Sequence, residues 1–149
     1  MGSILAMADT PRTLKVLLYS DDIATRDAVR IGVGKRPAKD VQILSWRECA
    51  TAAAVIDAAD HEELDLLILD GEATPAGGMG LTKQLKNEIF NCPPIIVLTG
   101  RPSDGWLASW SQADAAVPHP IDPLVLSSTI AEVARRMGGH GQVADSTVR

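Results

Sequence analysis

The chain has 149 residues, a net charge of −5, and 46% hydrophobic against 22% charged residues, the profile of one soluble domain with enough apolar mass for a core. An acidic balance argues against nucleic acid as a partner, because phosphate contacts need clustered Lys and Arg, and no apolar run approaches the roughly 18 residues that membrane insertion requires. Cys49 and Cys92 stand far apart and outside any CxxC spacing, which excludes a disulfide framework or a zinc site and predicts two reduced, partly buried thiols in a cytoplasmic protein.

Met1 to Pro11 has neither the basic start nor the long apolar stretch of a secretory signal. A second Met at Met7 marks Met1 to Ala6 as an expression scar or the product of an alternative start, and residues 1–12 as a whole read as a disordered tail or scar. Residues 13–138 form the predicted domain and 139–149 a flexible tail. Five short apolar runs follow in order: Leu14–Tyr19, Val41–Trp46, Leu64–Leu69, Pro94–Thr99 and the weaker, alanine-rich Ala113–Val117. Most are unalternating and rich in Val, Ile and Leu, as strands buried on both faces of a parallel sheet are.

Helical spacing fills the gaps. Asp22 to Gly34 puts Ala24, Ala28 and Ile31 on one stripe, and Arg47 to Asp60 aligns Ala52, Val55, Ile56 and Ala59. Leu81, Leu85 and Ile89 recur at every fourth position, and Asp104 to Ser111 is a short segment with Trp106 and Trp110 at i, i+4. Asp122 to Met137 carries Leu126, Ile130, Val133 and Met137, with Asp122-Pro123 as a start and Gly138-Gly139 as a stop. This (βα)5 alternation predicts a flavodoxin-like, doubly wound α/β fold: a five-stranded parallel sheet with helices on both faces and right-handed crossovers.

Ligands of such sheets bind beyond the carboxyl ends of the strands. There the sequence places Ser20, Asp21 and Asp22 after the first strand, Asp70 after the third, Thr99 and Gly100 after the fourth, and Pro118, His119 and Pro120 after the fifth. Clustered carboxylates favour an oxygen-ligated divalent cation such as Mg²⁺, and an Asp held there can act as a nucleophile toward a phosphoryl donor.

Four segments, in order, resemble the receiver domain of bacterial two-component response regulators: Lys15 to Asp22, Asp65 to Asp70, Pro94 to Gly100, and Ala113 to Pro123. The resemblance spans Leu14 to Met137 and implies sheet order 2-1-3-4-5. It implies Asp70 as phosphoacceptor in a phosphorelay, Thr99 as switch hydroxyl, and Mg²⁺ held by Asp21, Asp70 and the backbone carbonyl of Glu72. Asp22 joins them if its side chain turns inward, although a helix cap is its simpler role. A sensor histidine kinase or phosphotransfer protein is the implied phosphoryl source. The implied activity goes no further than self-phosphorylation and autodephosphorylation. With no room for an output domain, the target is a protein bound in trans. Trp106 and Trp110, core residues by default, lie on the fourth predicted helix, in the region where such domains contact partners or a second copy through the face of the fourth and fifth helices.

The sequence also departs from the family. Ser20 replaces the first acid of the usual pair, which predicts weak Mg²⁺ binding or none. His119 stands in the place of a nearly fixed Lys and is expected to precede a cis proline bond. Ala116 replaces the usual switching aromatic. Pro75 comes one position late, and with Gly77, Gly78 and Gly80 it predicts a longer, mobile loop after Asp70. A pseudo-receiver that binds partners without phosphorylation is therefore the second reading. A flavin or nucleotide enzyme is disfavoured, because no Gly-rich phosphate loop follows the first strand and aromatics are few.

Overall fold

A computed structural model of the chain describes residues 11–74, 77–101 and 111–148, with backbone only from 138 onward. Five strands, β1 (Arg12–Tyr19), β2 (Val41–Cys49), β3 (Leu66–Asp70), β4 (Ile95–Thr99) and β5 (Ala115–Pro118), form one parallel sheet in the order β2-β1-β3-β4-β5. Four helices lie among the described residues: α1 (Ile23–Val33), α2 (Ala52–His61), α3 (Gly78–Glu88) and α4 (Pro123–Val148). The helix predicted over Asp104 to Ser111, with Trp106 and Trp110, lies outside the described residues except for Ser111, which is buried. No described helix is long and apolar enough to cross a membrane.

The two-residue period of a strand divides the apolar runs between two cores. Leu14, Val16, Leu18, Leu66, Ile68, Ile96, Leu98 and Val117 meet Val29 and Val33 of α1 and Leu126, Ile130, Val133 and Ala134 of α4. Leu17, Tyr19, Leu67, Leu69, Ile95 and Val97 meet Val55 and Ala58 of α2 and Leu81 and Leu85 of α3. Burial on both faces is why these runs do not alternate in polarity. At the sheet edge, the register of β2 against β1 slips between Leu14 and Lys15. This leaves Leu44 exposed as a bulge and lets both Ile43 and Trp46 reach the same core.

Three helices differ from expectation. The predicted stripe of α1 is exposed: Ala24 and Ala28 face solvent and Ile31 is 71% exposed, whereas Val29 and Val33 are buried. Arg26 sets this phase, because its guanidinium turns inward to reach the Ser20 carbonyl and Glu48. Val29 and Val33 follow on that face. Helix α2 starts at Ala52 rather than Arg47, because Glu48 and Cys49 still pair with β1 and the Thr51 hydroxyl caps the helix by accepting from Ala54 N at 3.1 Å. Helix α4 runs through Gly138-Gly139 to Val148, past the predicted stop and along the predicted tail. Glycine stops a helix by adopting positive φ, which among the described glycines only Gly34, closing α1, does. Elsewhere glycine lowers helix propensity without removing a hydrogen bond.

Asp40, before β2, holds α4 through a bidentate pair with Arg135, both contacts at 2.8 Å. The guanidinium beside it holds the Asp40 carboxyl at about 2, well below its ordinary 3.8. Its folded pKa is depressed, so the pair's contribution is fully present above about pH 4 and is lost as pH falls through about 2. Asp40→Asn is expected to flatten that part of the acid limb in pH-dependent urea unfolding. Added salt should reduce the difference, because both side chains are half exposed.

Candidate functional site

Parallel register determines what meets at the carboxyl edge. Tyr19 pairs with Leu69, Asp70 with Leu98, and Thr99 with Pro118. The next residue of β1 is therefore level with Asp70, and the residue after β5 lies just beyond Thr99. Ser20, Asp70 and Thr99 are all buried.

Asp70 is the centre of the site. Its Oδ2 accepts from the Ser20 hydroxyl at 2.8 Å, and its Oδ1 accepts from the Glu72 backbone N–H at 2.9 Å and from His119 Nε2–H at 3.1 Å. While Asp70 is ionised it has no proton to give, which places the His119 proton on Nε2. A carboxylate only 3% exposed is thus compensated by neutral or switchable donors. The expected cis bond is present between His119 and Pro120, and His119 N donates to the Thr99 carbonyl at 2.7 Å, tying β5 to the end of β4.

Ser20 is fixed from every side. Its N–H donates to the Cys49 carbonyl, its carbonyl accepts from Arg26 Nη1 at 2.6 Å, and its hydroxyl oxygen accepts from Asp22 N at 3.1 Å. Arg26 is held in turn by Glu48 at 3.1 Å. Reading from the sequence missed Arg26. A basic residue in the first turn of α1, unfavourable toward the helix dipole, was the available signal. Behind the site, burial together with the charges of Asp21 and Asp70 pushes the Tyr19 hydroxyl up. Burial likewise raises both thiols, Cys49 and Cys92, which are unpaired as expected.

The carboxylates expected as metal ligands are each held by protein partners. Asp22 is the N-cap of α1 and stays outside: its Oδ1 accepts from Ala24 N at 3.0 Å and its Oδ2 from the Thr25 hydroxyl. Asp21 accepts from the Thr74 hydroxyl at 2.9 Å, a bond that holds its carboxyl below the ordinary range. The Glu72 side chain lies across the end of β4, so close that a Cβ on Gly100 would stand 2.5 Å from its carboxylate. Among the described residues no three His, Cys, Asp or Glu side chains gather as a metal site. The donor set fits an Mg²⁺ centre poorly, because the Asp70 oxygen nearest Ser20 already accepts a hydroxyl and Ser20 brings no charge. Gly78 and Gly80, expected in the loop after Asp70, belong to α3. The Gly78 position is packed against the backbone of Asp70.

A groove of about 260 Å³ runs beside the site between α1 and the β5–α4 connection, lined by Asp22, Ala24, Thr25, Ala28, His119 and Ile121. Exposed Ile23 and Ile31 belong to α1, and exposed Leu124 to the first turn of α4.

Five parallel strands in the order 2-1-3-4-5, with a buried strand-end aspartate facing a basic residue just after β5, define a CheY-like receiver domain. Solved receivers agree in fold. The CheY-like receiver of Methanospirillum hungatei JF-1 superposes with a TM-score of 0.67 at 19% identity, covering 87% of this chain and 99% of that one. The receiver domain of the Francisella response regulator 1452 gives 0.71 at 17% identity, covering 83% and 98%. No protein-family model matches the chain. The relative Rv3143 of Mycobacterium tuberculosis (strain ATCC 25618 / H37Rv), named an uncharacterized response regulatory protein, is 54% identical over 129 residues, 87% of this chain and 97% of its own length. The chain belongs to the response regulators of two-component signalling, as a receiver domain.

Proposed function

We propose that this receiver takes a phosphoryl group on Asp70 and signals through proteins bound in trans. The observation that carries the reading is the set of donors around Asp70: Ser20 hydroxyl, Glu72 amide and His119 Nε2–H all point at one buried carboxylate. In the transfer, an Asp70 oxygen bonds to phosphorus, the bond from phosphorus to its donor breaks, and the donor leaves with the electron pair. The same donors can then turn to the phosphoryl oxygens, whose charge His119 neutralises if protonated. Thr99, buried at the end of β4 and joined to His119 through the backbone, is the hydroxyl placed to couple the group to β4 and β5.

Receivers of response regulators exchange phosphoryl groups with histidine kinases or phosphotransfer proteins, and such a donor is the partner proposed here. Action in trans is supported by the M. tuberculosis relative, whose match to this one receiver domain covers 97% of its length. A cytoplasmic location fits the free thiols. No enzymatic activity is proposed beyond self-phosphorylation and autodephosphorylation. A homodimer through the region of Trp106 and Trp110 belongs to the same reading, although those residues lie outside the described ones.

The second reading, a phosphorylation-independent interaction module, is favoured by one fact: both Asp70 oxygens are already occupied by donors. Intact-mass analysis after acetyl phosphate treatment, with and without Mg²⁺, separates the two. A single phosphoryl adduct absent from Asp70→Asn is the expected result. No adduct under either condition, with no beryllofluoride-induced NMR shifts around Asp70, assigns the chain to the second reading.

A further inference from the structure

We infer that the Asp70 pocket takes no divalent cation, and that Ser20 is the residue that decides this. The inference rests on Asp70 being the centre of the site, and it concerns what compensates its charge.

A hard cation needs several oxygen ligands with enough negative charge to offset its dehydration. Here the groups in reach are committed to the protein. The Ser20 hydroxyl gives its hydrogen to Asp70 Oδ2 and accepts from Asp22 N, so its proton and one of its two lone pairs are already committed. Its backbone is pinned by Cys49 and Arg26. The Asp21 carboxylate is bound to Thr74 in the loop after the neighbouring strand β3, and that of Asp22 to the first turn of α1. The cation nearest the turn is already a protein side chain: Arg26, 14% exposed, sits on the Ser20 carbonyl. A metal entering would compete with the Ser20 hydroxyl for Asp70 Oδ2, and it would gain only two carboxylates, Asp21 and Asp70. Ser20→Asp changes that balance. It removes the donor to Asp70, adds a third carboxylate, and sets three like charges against one another unless a cation joins them.

The test is an Mn²⁺ titration of the unphosphorylated protein, read as paramagnetic broadening of backbone amides by NMR. The natural chain is expected to show no selective broadening at residues 20–22 and 70–72 at millimolar Mn²⁺. Ser20→Asp, checked for fold by circular dichroism, is expected to broaden those amides selectively, with affinity raised on the order of 10–100-fold. Selective broadening in the natural chain overturns the inference, and that titration decides alone if the variant does not fold. A folded Ser20→Asp that remains blind to Mn²⁺ overturns the role of Ser20. Acetyl phosphate labelling in parallel keeps the two proposals apart. A metal-binding natural chain that still labels leaves Asp70 as acceptor, whereas absence of label without any metal binding removes the acceptor and leaves this inference standing.

Discussion

Ile68→Ala is expected to destabilise the domain by about 2–5 kcal/mol, the largest loss foreseen for a single side chain. Ile68 is the middle residue of β3, with β1 on one side and β4 on the other, and it is fully buried. Its side chain belongs to the core shared with α1 and α4. Truncation removes apolar contacts and leaves a cavity that the surrounding strands cannot collapse into, because each is hydrogen-bonded on both edges. For a chain of this size each kcal/mol lowers the melting temperature by roughly 2–4 °C, so thermal unfolding should show the loss directly. Ile31→Ala is the internal comparison. The same deletion at a site 71% exposed should stay within about 0.5 kcal/mol. Equal losses at the two positions would contradict the assignment of faces on α1.

Gly78→Ala is expected to impair phosphoryl acceptance more than stability. A Cβ there would stand 2.7 Å from the Asp70 carbonyl oxygen, 2.8 Å from its carbon and 2.9 Å from the Leu69 carbonyl carbon. All three are backbone atoms of the central strand and cannot swing aside. Either α3 lifts from the sheet or the end of β3 bends, and both displace the Asp70 carboxylate from Ser20 and His119. Overpacking costs about 1–3 kcal/mol, against which alanine recovers up to about 1 kcal/mol of helix propensity. A shift near 1 Å at a reacting group can cost about 100-fold in rate, so acetyl phosphate labelling should slow by roughly 10–100-fold while the protein stays folded. Gly80→Ala, two residues on with no atom within 4 Å of its Cβ position, should label normally and be slightly more stable, by about 0.4–1 kcal/mol. Normal labelling of Gly78→Ala would mean that α3 yields without moving the site.

How much of this the sequence alone determined follows from which signals are local. The β and α periods, the strand-end positions of Asp70, Thr99 and His119, and the caps at Asp22 and Gly34 were all readable, because each depends on neighbours within a few residues. The sheet order followed from the resemblance of four segments, and parallel pairing then placed Ser20 level with Asp70. What only the tertiary structure decided depends on groups far apart in the chain. The stripe Ala24, Ala28 and Ile31 looked like the inner face of α1 until Arg26 was seen reaching for Ser20 and Glu48, a contact that rotates the helix and buries Val29 and Val33 instead. Gly78 read as part of a mobile loop, because only the packed backbone of β3 shows that the position has no room for a Cβ. The acidic residues read as a shared cation site, because composition counts carboxylates without their directions. In the fold Asp21 turns to Thr74, Asp22 caps its helix, and Ser20 and His119 are left to hold Asp70.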